Sequence, residues 1–354
     1  MNSKDIRIMI AGNLASYYEK EGRALPWRID KDPYHVHLSE IMLQQTRVEA
    51  VIGYYGRFLS RFPSVESLAN AKEEEVLKLW EGLGYYSRAR NLLASAKVIC
   101  ERHGGIYPKK KKELLSLPGV GEYTASAISA ICFHEKVVPV DGNFLRIYAR
   151  LNKSKDDISF PSVKKSCAIY FGKLFPYIEP GLLAQSVMEL GQRVCIPNGK
   201  PLCLSCPLRE VCKANEEGSP ENYPVITKKK TKKEEPHTVL VFSSNGRLGY
   251  EKRPGKGLLA SLYGFPMEEG HMDEKTLLDL LQNKGIKPIS ITPLGEFEHV
   301  FTHKVWKMGA VLIEAKEELP NLTYLSLEKR MDSFPLPSAF LAIEKVADTQ
   351  TRHK

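Results

Sequence analysis

No apolar run in this sequence approaches the length needed to cross a bilayer, so no membrane-spanning helix is expected. The first residues, Met1-Asn2-Ser3-Lys4-Asp5, mix charge signs and lead into no apolar stretch ending in small residues. A secretory signal is therefore not expected either, and the chain reads as cytoplasmic. No internal repeat is visible. Acidic residues are in short supply, 42 against 51 lysines and arginines, which leaves a net charge of +9 and favours a polyanionic partner. At 354 residues the chain is too long for one ordinary core and fits two domains.

Cysteine is scarce outside one place. Cys100, Cys132 and Cys167 are solitary and sit among apolar, helix-like neighbours, as small buried side chains do. The remainder cluster as Cys195-x7-Cys203-x2-Cys206-x5-Cys212. In a chain without an export signal that density argues for a metal centre in a reducing compartment. Zinc and an iron–sulfur cluster both accept four thiolates, and spacing alone does not choose between them.

Up to Cys212 the apolar residues recur at helical intervals: Leu38, Ile41, Met42 and Val48; Leu92, Leu93, Ala96 and Ile99; Ala125, Ile128 and Ile131; Leu183, Val187 and Leu190. Pro33, Pro63, Pro118, Pro161 and Pro180 punctuate them as helix starts or breaks. The pattern predicts an all-α domain over 1–213. From 214 to 236 large apolar residues are few and the run Lys228-Lys229-Lys230-Thr231-Lys232-Lys233 appears, which reads as a basic linker, either solvated or laid on DNA. Over 237–354 the character is mixed. Thr238–Phe242 and Arg247–Tyr250 flank Ser244-Asn245-Gly246 as a hairpin, Asp273–Gln282 reads as a helix, Glu298–Ile313 as strands and Ser338–Val346 as a closing helix. This is a small α+β domain.

Three further features carry chemistry. Leu117-Pro118-Gly119-Val120-Gly121 lies between the lysines at 109–112 and an apolar helix beginning near Glu122. Its glycines permit a sharp turn, and amides at the next helix start suit a phosphate; an ordinary helix–turn–helix corner would look the same. Glu40, Gln44 and Arg47 share one face if a single helix runs through them, which in isolation describes a solvated stripe. Asp141, in Val140-Asp141-Gly142-Asn143, precedes an apolar-periodic helix and in isolation is a plain N-cap.

Together the phosphate-gripping turn, the Val-Asp-Gly-Asn stretch and the clustered cysteines resemble the helix-hairpin-helix DNA glycosylase superfamily. Pro26-Trp27-Arg28, Asp32-Pro33-Tyr34, Ser39-Glu40-Ile41-Met42-Leu43-Gln44-Gln45-Thr46 and Gly82-Leu83-Gly84-Tyr85-Tyr86 narrow the resemblance to adenine glycosylases of the MutY type. The resemblance implies a base-excision-repair enzyme that hydrolyses the glycosidic bond of adenine opposite 8-oxoguanine or guanine in double-stranded DNA, acting as a monomer. It implies that Glu40 is the general acid and Asp141 the carboxylate that meets the developing sugar cation, with Tyr123 supporting Asp141 and Asn143 in the same catalytic set. Gln45, Thr46, Tyr85, Gly119, Val120 and Gly121 would contact DNA, with Gln45 and Tyr85 as wedges, and Arg23, Trp27 and Gln185 would hold the adenine. Cys195, Cys203, Cys206 and Cys212 would carry a 4Fe–4S cluster. The first spacer is seven residues here where the family usually has six, so one extra residue is expected to bulge between Ile196 and Leu202.

The last domain resembles the Nudix-like module of such enzymes, through Gly257-Leu258-Leu259-Ala260, Phe265-Pro266 and Phe297-Glu298-His299-Val300-Phe301-Thr302-His303. By resemblance Phe301, Thr302 and His303 read 8-oxoguanine, with Thr302 where the family usually has serine. The glutamate box of hydrolytic Nudix enzymes is missing, so pyrophosphatase activity is not expected. Gly121-Glu122-Tyr123-Thr124 also lacks the lysine that lyase members place before the threonine, so no Schiff base is expected. The competing readings are a pyrimidine-type glycosylase with lyase activity and a non-catalytic DNA-binding protein with structural zinc.

Overall fold

The computed structural model describes residues 2–227 and 231–352; Lys228, Lys229 and Lys230 of the basic run lie outside the described residues. The chain divides into two compact units. One comprises Met1–Ala71 with Ser87–Lys229, the other Lys72–Tyr86 with Lys230–Lys354.

The first unit is helical. Its chain opens with α1 (Ser3–Glu21), α2 (Pro33–Leu43), α3 (Val48–Arg61) and α4 (Val65–Ala69). After α5 (Glu73–Leu79), which packs in the second unit, come α6 (Ser87–His103), α7 (Lys111–Leu114) and α8 (Glu122–Phe133). Then follow α9 (Gly142–Asn152), α10 (Pro161–Gly172), α11 (Pro180–Arg193) and the short α12 (Lys213–Glu216). Pro33, Pro161 and Pro180 each occupy a first helical position, where the missing N–H costs nothing.

The helical face expected to join Glu40, Gln44 and Arg47 is not formed. The helix carrying Glu40 stops at Leu43, so Arg47 does not continue its face but caps the next helix. Gln45 takes a left-handed φ of 59°. The buried Arg88 guanidinium donates to the carbonyls of Ile41 and Met42 at 2.9 Å each and to that of Gln44 at 2.5 Å. Those carbonyls would otherwise be orphans of the helix end, and one charged group, Arg88 Nη1, is shared among them. α2 is moreover buried on nearly every side, so the solvated-stripe reading of Glu40 fails.

The segment read as a linker is also more ordered than its composition suggests. Arg150 Nε donates to the Pro220 and Tyr223 carbonyls, at 3.0 Å each, and the amide of Thr227 donates to Asp157 at 2.6 Å. Up to Thr227 the chain is therefore fastened to the helical unit.

In the second unit β1 (Lys233–Ser244) and β2 (Arg247–Lys252) form the expected hairpin, with Asn245 and Gly246 both at positive φ as its tight turn requires. The short strands β3 (Tyr263–Gly264) and β4 (Met267–Glu269) lead to α13 (Glu274–Asn283), capped by Asp273. β5 (Pro288–Val300) and β6 (Lys304–Ala315) follow; the first begins ten residues before the expected strand region. β7 (Thr323–Leu325), α14 (Leu327–Ser333) and α15 (Ser338–Arg352) complete it. The sheet order is β3-β2-β1-β6-β5, with β1 and β6 parallel. Val239 and Val241 pack with Phe340 and Ile343 on one face, Leu240 and Phe242 with Leu277 and Leu281 on the other. Burial on both faces is why β1 reads as a continuous apolar run.

Candidate active site

A cavity of about 510 Å³ opens in the helical unit, and both singled-out acids line it. Glu40 reaches it from the buried α2. Asp141 reaches it as the N-cap of α9, where its Oδ1 accepts from the Phe144 amide at 2.9 Å. Tyr123, from the first turn of α8, joins them at the wall.

Burial treats these groups differently. Desolvation raises the Glu40 carboxyl to about 7; the neighbouring Tyr123 side chain and the field of Arg28 oppose the rise, while Asp141 adds to it. Burial also raises Asp141, but the Phe144 amide, the Asn143 side chain and Arg146 stabilise its ionised form. Desolvation lifts the Tyr123 phenol well above its ordinary range, so it remains a neutral hydroxyl. The cavity thus holds one carboxyl poised near neutrality beside a second with several donors for its charge. A carboxyl that stays protonated up to neutral pH is suited to give a proton, and one with donors for its charge is suited to stabilise a cation.

Asp141 is wired further into the structure. Asn143 Nδ2 donates to Asp141 Oδ2 at 2.6 Å, Arg146 Nη2 donates to Asn143 Oδ1 at 2.7 Å, and Arg146 Nε donates to the Cys195 carbonyl at 2.7 Å. Gly191 lets this chain pass. A Cβ there would lie 2.6 Å from Asn143 Oδ1, and its carbonyl accepts from Arg146 at 2.7 Å.

Arg23, Trp27 and Gln185 all line the same cavity. Trp27 is buried, its ring edge-to-face with Tyr55 at 5.4 Å. Gln185 Oε1 accepts from the Tyr18 hydroxyl at 2.8 Å, leaving its amide hydrogens for another partner. Arg23 donates to Glu189 at 2.7 and 3.0 Å. Glu189, absent from the sequence reading, is the buried partner of two arginines that line the cavity. Its fully buried side chain also accepts from Arg28 at 2.9 Å, and those cations hold it below the ordinary carboxylate range although burial works the other way. Its position four residues beyond Gln185 was the available signal. Arg28 lies in the Pro26-Trp27-Arg28 motif and Arg146 three residues after Asn143, but nothing in the spacing tells them from surface cations.

Cys195, Cys203, Cys206 and Cys212 ring a smaller shared cavity with Arg150 and Arg209. Among the described residues, no three His, Cys, Asp or Glu side chains converge as ligands of a single ion do. Leu202 N donates to the Val194 carbonyl at 2.9 Å and closes the spacer at its base, and residues 197–200 project as an exposed bulge.

The hairpin turn lies between α7 and α8. Gly119 has a φ of +73°, and a Cβ there would come within 2.4 Å of Asn91 Cβ, so the position is closed to other residues. Val120 follows it, and Gly121 is the N-cap of α8. Gln45 is exposed beyond the end of α2, and Thr46 lines the cavity. In the second unit Tyr85 is half exposed, Thr302 and His303 are exposed in the turn between β5 and β6, and the Phe301 ring packs on Trp306 at 4.7 Å. No helix is long and apolar enough to cross a membrane among the described residues.

The pattern of HhH-GPD superfamily base excision DNA repair proteins matches residues 38–170, and that of the NUDIX domain residues 237–345. The adenine DNA glycosylase of Rattus norvegicus is 33% identical, in an alignment covering 97% of this chain and 78% of that protein. Its counterpart in Buchnera aphidicola subsp. Acyrthosiphon pisum is 32% identical, with 84% of each chain covered. A thermostable thymine-DNA glycosylase of known structure superimposes with a TM-score of 0.55 at 26% identity, over 61% of this chain and 99% of that one.

Proposed function

The chain belongs to the adenine DNA glycosylase family, and from that premise we propose that it excises adenine opposite 8-oxoguanine or guanine in double-stranded DNA by hydrolysis, without a lyase step. It is a DNA N-glycosylase of base excision repair. The observation that carries the mechanism is the shared cavity of Glu40 and Asp141, both buried, with more donors serving the charge of Asp141 than that of Glu40.

The base rotates out of the stack into this cavity, where Trp27 offers an aromatic wall and Gln185 and Arg23 offer donors. Glu40, neutral up to about pH 7, gives its proton to adenine N7 as the bond to C1′ breaks. Positive charge then grows on the sugar, and Asp141 stabilises it electrostatically or through a transient bond. Water adds at C1′, so overall its hydroxyl goes to the sugar and its proton to the base. Among the described residues no lysine lines the cavity, which supports hydrolysis over imine chemistry and disfavours the pyrimidine-type lyase alternative.

The four cysteines line one cavity, and four thiolates of one loop suit a 4Fe–4S cluster. When bound, the cluster would fasten the Cys195–Cys212 loop; this chain's own residues do the chemistry. Phe301, Thr302 and His303 inspect the base opposite the adenine, and the turn at Gly119–Gly121 grips a phosphate. We take the enzyme to act as a cytoplasmic monomer. Excision measured on matched duplexes with 8-oxoguanine, guanine, cytosine or thymine opposite adenine tests the reading. Adenine release should be fastest opposite 8-oxoguanine, slower opposite guanine and negligible opposite thymine; equal release from all four would overturn it.

A further inference from the structure

The sequence between Ala71 and Ser87 belongs by packing to the carboxy-terminal unit. After α5 it makes a tight corner, with Gly82, Gly84 and Tyr85 at φ of 95°, 70° and 48°, and Trp80 Nε1 donates to the Gly84 carbonyl at 3.2 Å. Glu81 fastens that corner. Its Oε1 accepts from the Leu336 amide at 3.1 Å and from Arg330 Nη1 at 3.3 Å, and its Oε2 accepts from Lys78 at 2.6 Å.

Arg330 is a fixed anchor, since its side chain is only 4% exposed. Its Nε donates to Glu344 Oε1 at 2.7 Å and its Nη2 to Glu344 Oε2. Tyr250 donates its hydroxyl to the same carboxylate at 2.8 Å. Four residues beyond Glu81, the Tyr85 hydroxyl lies 2.9 Å from Thr302 Oγ1. Thr302 itself sits in a turn closed by the Phe301 amide donating to the Lys304 carbonyl at 2.8 Å.

We propose that Glu81 is a positioning residue for discrimination of the opposite base: by tying the corner to Arg330 and Leu336 it holds Tyr85 hydroxyl to hydroxyl with Thr302, so that both groups meet the DNA as one preset surface. This rests on the reading that Thr302 and Tyr85 face the opposite base. A non-glycine residue at positive φ stays there only when its surroundings dictate it, and the Glu81 contacts tie this corner to Arg330 and Leu336 through a charged acceptor. Glu81 lies in the carboxy-terminal unit, so its effect should fall on the choice between duplexes and not on bond breaking.

The test is the ratio of single-turnover excision rates for adenine opposite 8-oxoguanine and opposite guanine, at one salt concentration. Glu81→Ala should lower that ratio about fivefold, roughly 1 kcal/mol at 1.4 kcal/mol per tenfold. The slower duplex should be cut within about twofold of the unaltered enzyme, as expected when only a discriminating contact is lost. Glu81→Gln keeps an acceptor for Leu336 and Arg330 and should recover most of the ratio. Thr302→Val should lower the ratio by itself, and Glu81→Ala added to it should lower it no further. If Thr302→Val lowers the ratio and Glu81→Ala does not, the inference falls while the reading of Thr302 stands. If Thr302→Val leaves the ratio unchanged, both fall. An additive loss in the double variant, or an equal loss on both duplexes with a lowered melting temperature, would reduce Glu81 to a structural residue and overturn the inference.

Discussion

Each unit buries a glutamate beside a tyrosine hydroxyl, and the two glutamates are treated in opposite ways. In the carboxy-terminal unit Glu344 takes two N–H groups of Arg330 and the Tyr250 hydroxyl, deep beneath the surface. In the helical unit Glu40 lines the cavity beside Tyr123, and Arg28 acts on it only through space because its guanidinium is bound to Glu189. The first arrangement satisfies a charge and fixes packing. The second leaves a carboxyl near its tipping point, at the wall of a cavity large enough for a base. Polar groups also face opposite ways: the helical unit gathers its reactive groups inside, whereas the other presents Thr302 and His303 at the surface. Breaking a bond requires a perturbed group sheltered from water; inspecting a base still held in a duplex requires donors and acceptors that reach out.

The comparison can be broken most forcefully at Glu40. Glu40→Gln should lower single-turnover adenine release by about 10²–10⁴-fold, the usual scale of general acid catalysis, while affinity for the mismatched duplex changes little. Retained excision would show that the proton comes from elsewhere. Arg330→Met should instead leave the chemistry and destabilise the protein by about 3–5 kcal/mol, because Glu344 would remain buried without its cation. A thermal or denaturant melt of the full chain reads this directly, and a variant as stable as the parent would show that the pair is not the anchor described.

A smaller effect sharpens the contrast. The folded Glu40 carboxyl sits near 7 against an ordinary 4.5, so the folded state holds the proton more tightly than the unfolded chain. Its stabilising share is complete below pH 4.5 and is lost as the pH rises through about 7. Glu40→Gln removes that loss and should stabilise the protein at pH 8 by about 3 kcal/mol at most. The variant that abolishes activity should therefore melt higher at pH 8 and nearly equally at pH 4.5, and equal melting at both would contradict the raised carboxyl.

Much of this was legible in the residues. The Asn245-Gly246 turn, the helices begun by Pro33, Pro161 and Pro180, and the clustered cysteines are local signals, and they appear where expected. What failed was helix phase at Gln44–Arg47, because Arg88, 44 residues beyond Gln44, terminates α2 by gathering its carbonyls. The second unit's hold on Glu81 was invisible for the same reason, since its donors lie 249 and 255 residues away. Apart from its spacing from Gln185 nothing local marks Glu189, whose place at the site comes from Arg23 and Arg28, more than 160 residues earlier, converging on it. Spacing reports contacts within an element; it does not report which distant side chain satisfies a buried charge.

We propose that Glu40 supplies the proton because burial keeps it neutral. The most direct test is the pH dependence of kcat/KM for release of adenine opposite 8-oxoguanine, from pH 5 to 9 at constant ionic strength, with duplex affinity measured in parallel. Ionisation of Glu40 in the free enzyme predicts a rate that falls tenfold per pH unit above about 7 with affinity nearly constant. A rate that is flat or rising up to pH 9 would contradict it.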